Sequence, residues 1–320
     1  MIVTDGRGTD GGTDISDKLT DVRDAVTKHV LPGSSIVLGA CLEPDVPFAV
    51  THEIIRQDVE GLNVIAPISD ASTDMLIGMG CCTQVTGAWV GNVSGGLGHN
   101  YRRAFEKAEP HAITVNDHSN FSLGMALMAG AYGMPYAAMR SILGSDILAS
   151  NPAFRVEVNP FDEHEKVVLV PPLKPDVAVL PVQRADRNGN CHHWGSSGVA
   201  KEAAFAAEKV ILLADEIVGE DVIQYDPSRV MIPGFLVIAV CHVPGGVHPS
   251  PQTGRWCRDN EFFNDYHKRS RTRDGFLEWI DEWVLGVPDH ATYRAKLGER
   301  FEQLRINGEA PSAPANFAAA

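Results

Sequence analysis

Short segments of branched apolar residues recur between helix-patterned stretches, and this alternation constrains the fold more than any other feature of the chain. "SIVLGA", "LNVIAPI", "QVTGAWV" and "AITV" read as strands, with "PFAVTHEIIRQ", "TDMLIGMG" and "HNYRRAFEKA" as the helices between them. "NFSLGMALMAGAYG" follows as a helix apolar on all sides, hence buried. Its Gly124, Ala126, Ala129 and Gly130 would admit a close neighbour. "KVVLV" and "DVAVLPV" lie closer together and suggest a small β-rich excursion. The alternation then returns with "VAKEAAFAAE", "KVILLAD" and "FLVIAVCHV". Such βαβ repetition predicts an α/β fold, a largely parallel sheet flanked by helices.

At the start, Leu19, Val22, Val26 and Val30 recur at helical spacing, with Ser16 as a cap and Pro32-Gly33 as a stop. Near the end, Phe276, Trp279, Ile280, Trp283 and Val284 form one apolar stripe, which reads as core. With no clean linker, the expectation is a flexible tail over 1–15, a single domain over 16–305 and a disordered tail over 306–320.

The formal charge of −14 argues against nucleic acid or an anionic membrane as partner. No apolar run reaches the roughly 18 residues of a membrane span, and "MIVTDGRG" lacks the features of a secretory signal, so the cytoplasm is expected. Cys41, Cys81, Cys82, Cys191, Cys241 and Cys257 include no CxxC pair, which predicts reduced thiols and no metal site.

In open parallel sheets, ligands sit beyond the carboxyl ends of the strands. Those ends lead here into residues 39–47, 67–73, 91–98 and 116–120, mostly glycine and short polar residues. Such loops suit main-chain amides aimed at a ligand better than acid–base side chains. "DGRGTDGG" contains Gly6-x-Gly8-x-x-Gly11, but its position and composition read as a loose tail rather than a dinucleotide fingerprint. In "NGNCHHWGSS", Cys191, His192 and His193 alternate across a strand and cannot easily share one metal; Asn188-Gly189-Asn190 reads as a tight turn. "GNVSGGLGHNYRRAFEK" enters a basic helix. Either its amides with Arg102 or Arg103 meet an anion at the helix start, or the arginines are exposed surface. The basic run "HKRSRTR" reads as solvated surface. No GxSxG elbow is present, and no cysteine lies in a nucleophile signature.

Ordered blocks across residues 18–305 carry a family resemblance. They include "SSIVLGACLEPDVPFAVTHEIIRQ", "DVAVLPVQRADRNGN", "IAVCHVPGGVHPSP" and "WVLGVPDHATYRAKLG". Together they resemble the α subunit of family I coenzyme A transferases, of the glutaconate type. The resemblance implies the CoA transferase fold, coenzyme A thioester as substrate rather than cofactor, and carboxylic acids as the other substrates. It also implies a β subunit bearing a catalytic glutamate, usually in a heterotetramer. That glutamate attacks the acyl-CoA thioester, the acid leaves, and enzyme-bound CoA passes to another acid. No catalytic residue is then expected in this chain.

The family's Gly-Gly-Phe turn matches Gly39, Ala40 and Cys41, and its Ser-Gly loop matches Ser94 and Gly95. Asn120 and His248 complete the implied substrate-facing set, with His248 expected to hold the 243–254 loop rather than transfer protons. A sister branch that cleaves a carbon–carbon bond in a steroid-derived CoA thioester uses an α-subunit glutamate. That position falls at Asn120, so a hydrolase alternative would rest on Asp117 as base. A non-catalytic scaffold is the second alternative.

Overall fold

The structure is a computed structural model and describes residues 17–93 and 95–306. Ser16, Ser94, the glycine motif at 6–11, the 1–15 tail and all of the C-terminal tail except Ile306 lie outside the described residues.

The first half runs β1 (Leu19–Thr20), α1 (Val22–His29), β2 (Ser35–Val37), α2 (Phe48–Arg56), β3 (Leu62–Ile68), α3 (Asp70–Met79) and β4 (Cys82–Trp89). A small hairpin of β5 (Gly91–Asn92) and β6 (Gly96–Leu97) leads to α4 (His99–Lys107), β7 (Thr114–Asp117) and α5 (Asn120–Ala131). An excursion of β8 (Ala137–Met139), α6 (Asp146–Ser150), β9 (Arg155–Asn159) and β10 (Asp162–Val170) precedes β11 (Val177–Ala185) and β12 (Cys191–His192). Then come α7 (Ala200–Ala206), β13 (Lys209–Ile217), α8 (Glu220–Tyr225), β14 (Val237–His242), α9 (Asn260–Arg269), α10 (Arg273–Ile280), α11 (His290–Leu297) and α12 (Glu299–Gln303).

The main sheet has the order β1-β14-β13-β11-β2-β3-β4-β7, with every neighbour parallel. Only β12, which folds back on β11, is antiparallel. Parallel strands need cover on both faces, which is why the central strands β11, β13 and β14 are largely apolar rather than alternating, while β4 and the edge strand β7 carry polar residues. One face packs on α1–α3 and the C-terminal helices, where Ile36, Val179 and Leu213 meet Phe48, Met75, Phe263 and Trp279. The other face packs on α5 and α7, where Val37, Leu180 and Leu212 meet Leu123, Leu127 and Ala203. Phe276, Trp279, Ile280 and Val284 of the apolar stripe are fully buried.

Three expectations are corrected. Leu19 and Thr20 are not helical: they pair with Val240 and Cys241 as an edge strand, and α1 starts at Val22 under an Asp21 cap. "DVAVLPV" belongs to the main sheet, while the excursion is a three-stranded antiparallel sheet of β8, β10 and β9. α5 is buried on one face only, with Phe121 56% and Tyr132 71% exposed. Its close approach does occur, because a Cβ on Gly130 would lie 1.9 Å from the Leu173 carbonyl oxygen. No helix among the described residues is long and apolar enough to cross a membrane.

Candidate functional site

Where β2 leaves the sheet, Leu38 still donates its N–H to Ile65 (3.1 Å), and the chain then turns at Gly39 with φ +69°. A Cβ there would lie 2.7 Å from the Ile68 carbonyl oxygen and 2.9 Å from Ser69 Cα, so only glycine fits. Ala40 and Cys41 follow, both 2% exposed. From the other side, Val199 N–H donates to Ala40 C=O (2.9 Å), and Gly198 (φ +49°) lies so close that a Cβ would be 2.3 Å from that oxygen. The N–H groups of Gly39, Ala40 and Cys41 donate to no group among the described residues. Buried main-chain donors are almost always paired. Three consecutive donors at the strand ends here find no acceptor among the described residues.

The glycine-rich loop of β5 and β6 lies next along the sheet. Ser69 supports Gly39, and its neighbour Asp70 accepts from Val93 N–H (3.3 Å) and Arg258 Nη1 (2.7 Å), so the β3–α3 junction connects the two loops. Gly95, however, donates its N–H to Asn92, at 2.9 Å to the carbonyl and 3.1 Å to Oδ1. Of the two readings left open for the start of α4, an external anion finds its place taken. That helix end already holds an internal carboxylate, Asp74, which accepts from Tyr101 N–H (2.8 Å), Asn100 Nδ2 (3.1 Å) and the Tyr266 hydroxyl (2.6 Å). Burial pushes the Asp74 carboxyl up against these lowering bonds. Arg103 donates to the Ser270 and Arg271 carbonyls, and Arg102 pairs with Glu106. The basic run is only partly engaged: Arg269 pairs with Asp265 and Glu282 and His267 packs on His99, while Lys268 and Arg271 are exposed, in line with the solvated-surface reading.

Asp117 ends the edge strand β7 half-buried, and its carbonyl accepts from Asn151 Nδ2 (2.9 Å). Asn120 is exposed on the first turn of α5, behind the Ser119–Ser122 capping box. Between them His118 is buried with Nδ1 3.1 Å from Ser122 Oγ, and burial pushes it down to about 4.

The 243–254 loop backs the 42–49 segment. Gly246 and Pro251 carbonyls accept from Ala49 and Asp45, and Ser250 Oγ donates to Glu43 C=O (2.6 Å). His248 is 3% exposed, with Nδ1 2.6 Å from the Tyr293 hydroxyl and Nε2 3.2 Å from Asp259 Oδ2. Burial opposes ionisation of Asp259, but bonds from His248, Arg300 and Phe262 N–H outweigh it and hold the carboxyl well below the usual range. Both His248 nitrogens are engaged, so it fastens the loop to α9, α11 and α12 and has none left for substrate. His248→Ala is expected to lower unfolding stability by about 3 kcal/mol in urea titration, because it strands the buried Tyr293 hydroxyl, removes one partner of Asp259 and opens a cavity. Unchanged stability would refute this fastening role.

Cys191, His192 and His193 diverge as expected. Cys191 Sγ donates to Ile232 C=O, His192 meets Arg184 and Ile223, and His193 turns toward Asp45 and Cys41. Cys41 Sγ lies 4.0 Å and Asp45 Oδ2 3.4 Å from His193 Nε2. Burial raises the Cys41 thiol, helped by Asp45, and raises Asp45 despite bonds from His193 and Gln252. Sequence alone points to Cys41 and His193 separately and misses Asp45 as their companion. All six cysteines are free, and burial pushes Cys81, Cys82, Cys191 and Cys241 up to about 12, leaving these four inert.

Comparison with known proteins is consistent along the chain. A family model described as coenzyme A transferase matches residues 19–242. The α subunit of 3-oxoadipate CoA-transferase from Pseudomonas knackmussii is 39% identical over 282 residues, covering 88% of this chain and 99% of the relative. The α subunit of glutaconate CoA-transferase from Acidaminococcus fermentans is 32% identical over 303 residues, covering 88% and 92%. The crystal structure of the latter organism's glutaconate CoA-transferase superposes with a TM-score of 0.86 at 31% identity, over 91% of this chain and 96% of the other.

Proposed function

Because this chain belongs to the coenzyme A transferase family, we propose that it is the α subunit of an acyl-CoA:carboxylate CoA-transferase, forming half of a pocket completed by a β subunit. In this reading the partner's glutamate attacks the thioester carbonyl, the acid departs, and CoA remains as a glutamyl thioester on the partner until a second acid takes it. Attack builds negative charge on the carbonyl oxygen, and fixed N–H donors that need no reorganisation stabilise it best. The observation that carries the proposal is the turn at Gly39, Ala40 and Cys41, whose three N–H groups, at the carboxyl ends of the strands, meet no acceptor among the described residues. The Ser94–Gly95 loop would then shape the acyl side of the pocket, with the Gly95 amide committed internally. The substrates we assign are short dicarboxylic acids, since both relatives carry the names of such acids. The complex in this reading is a cytoplasmic heterotetramer.

The test uses this chain purified with its β subunit. An acyl-CoA donor is supplied with 3-oxoadipate, glutaconate or a monocarboxylate as acceptor, and borohydride is used to trap the thioester. The expected result is acceptor-dependent CoA transfer, fastest with a dicarboxylate, and a reduced adduct on the β subunit. Release of free CoA at the same rate without any acceptor would overturn the transferase reading.

A further inference from the structure

Cys41 and Asp45 follow β2, and His193 follows β12, yet their side chains meet. One ligand atom from each lies within 4.8 Å of the other two. All three residues are buried, and the side chains of His193 and Asp45 are only 3% and 0% exposed. A nucleophile–histidine–acid relay needs the acid and the nucleophile on opposite ring nitrogens. Here thiol and carboxylate address the same atom, Nε2, at 4.0 Å and 3.4 Å. The three groups converge on one point instead of forming a line.

Convergence of sulfur, imidazole nitrogen and carboxylate oxygen is the donor set of a tetrahedral zinc-class ion. Nitrogen and oxygen bound at about 2.0–2.1 Å in tetrahedral geometry stand about 3.4 Å apart, as His193 and Asp45 do, while sulfur at about 2.3 Å asks Cys41 to close on His193 Nε2 by about half an ångström and on Asp45 from a separation within 4.8 Å. A second observation points the same way: the other oxygen of that carboxylate, Asp45 Oδ1, is buried and has no hydrogen-bond partner among the described residues.

We propose that Cys41, Asp45 and His193 bind one zinc-class divalent cation. Binding releases the Cys41 proton to solvent, and thiolate plus carboxylate then balance the two positive charges. The ion would pin the turn after β2 to the segment after β12. The proposal uses the Cys41 side chain rather than main-chain donors, so it does not rest on the transferase reading.

The test uses the full chain, stripped with a chelator and titrated with Co2+ alone while the near-ultraviolet spectrum is followed. One equivalent is expected to produce a sulfur-to-cobalt charge-transfer band, and zinc to abolish it by competition. Cys41→Ser is expected to lose the band, and Cys257→Ser, at the exposed cysteine, to keep it. Asp45→Asn conserves volume and is expected to bind at least tenfold more weakly. Absence of the band from the native chain, its survival in Cys41→Ser, or unchanged affinity in Asp45→Asn would overturn the proposal.

Discussion

Acidification from pH 7 to pH 5 is expected to remove about 2 kcal/mol of folding stability for each of His118 and His290. Both imidazoles are held neutral by burial, which pushes His118 down to about 4 and His290 to about 3. The unfolded chain takes up a proton near 6.5, whereas the folded chain resists until far lower pH. Stability is therefore fully present above 6.5 and lost as pH falls between 6.5 and the folded values. His52 adds to the loss with the same sign, since burial first, then the nearby Arg56, His290 and His248, lower it strongly. Asp45, Asp70 and Asp74 act in the opposite direction, because burial raises their folded pKa and lets the folded state take protons early. Urea midpoints measured at intervals from pH 7 to 5 check the sum. A His118→Gln variant isolates one contribution, and its stability should fall less steeply, by up to about 1.4 kcal/mol per pH unit. Parallel pH dependence of the variant and the native chain would refute the assignment.

The same burial explains what is and is not legible in the sequence. Parallel strands covered on both faces run nearly continuously apolar, so "LNVIAPI" and "KVILLAD" announce themselves, as does the alternation that orders them. A two-residue edge strand leaves no such trace. Leu19 sits three residues before Val22 at helical spacing, and only its pairing with Val240 shows otherwise. The glycine-rich entry into α4 resembles an open anion site until Asp74, which precedes that helix by a full βα unit, is seen filling it. Cys41 and His193 lie 152 residues apart and have no fixed-spacing signature, so only folding shows that Asp45 joins them. His248 is readable as a fastening residue because its loop follows a buried strand and has almost no other side chains to anchor it. Its partners, Asp259 and Tyr293, are not.

Gly39→Ala is expected to reduce kcat of the assembled enzyme about 10²-fold, the loss typical of removing one preorganised oxyanion donor. Two effects coincide at this position. The backbone is in the left-handed region at φ +69°, and the new methyl would stand 2.7 Å from the Ile68 carbonyl oxygen on the adjacent strand. The sheet cannot yield, because Ile68 is fixed by its pairing with Trp89, so the turn must move and its three N–H groups move with it. A shift of a few tenths of an ångström is small for folding but large for donors that must sit within hydrogen-bond distance of a developing charge. The stability cost is about 1–3 kcal/mol, so a soluble, assembled variant is expected. Because those contacts strengthen only as charge develops, kcat and kcat/KM should fall together with KM nearly unchanged. Ala40→Gly is the control, since it keeps every N–H and removes only a methyl, and its kcat should stay within a few-fold of the native value. If Gly39→Ala assembles and retains native kcat, the main-chain donors of this turn are not what stabilises the oxyanion.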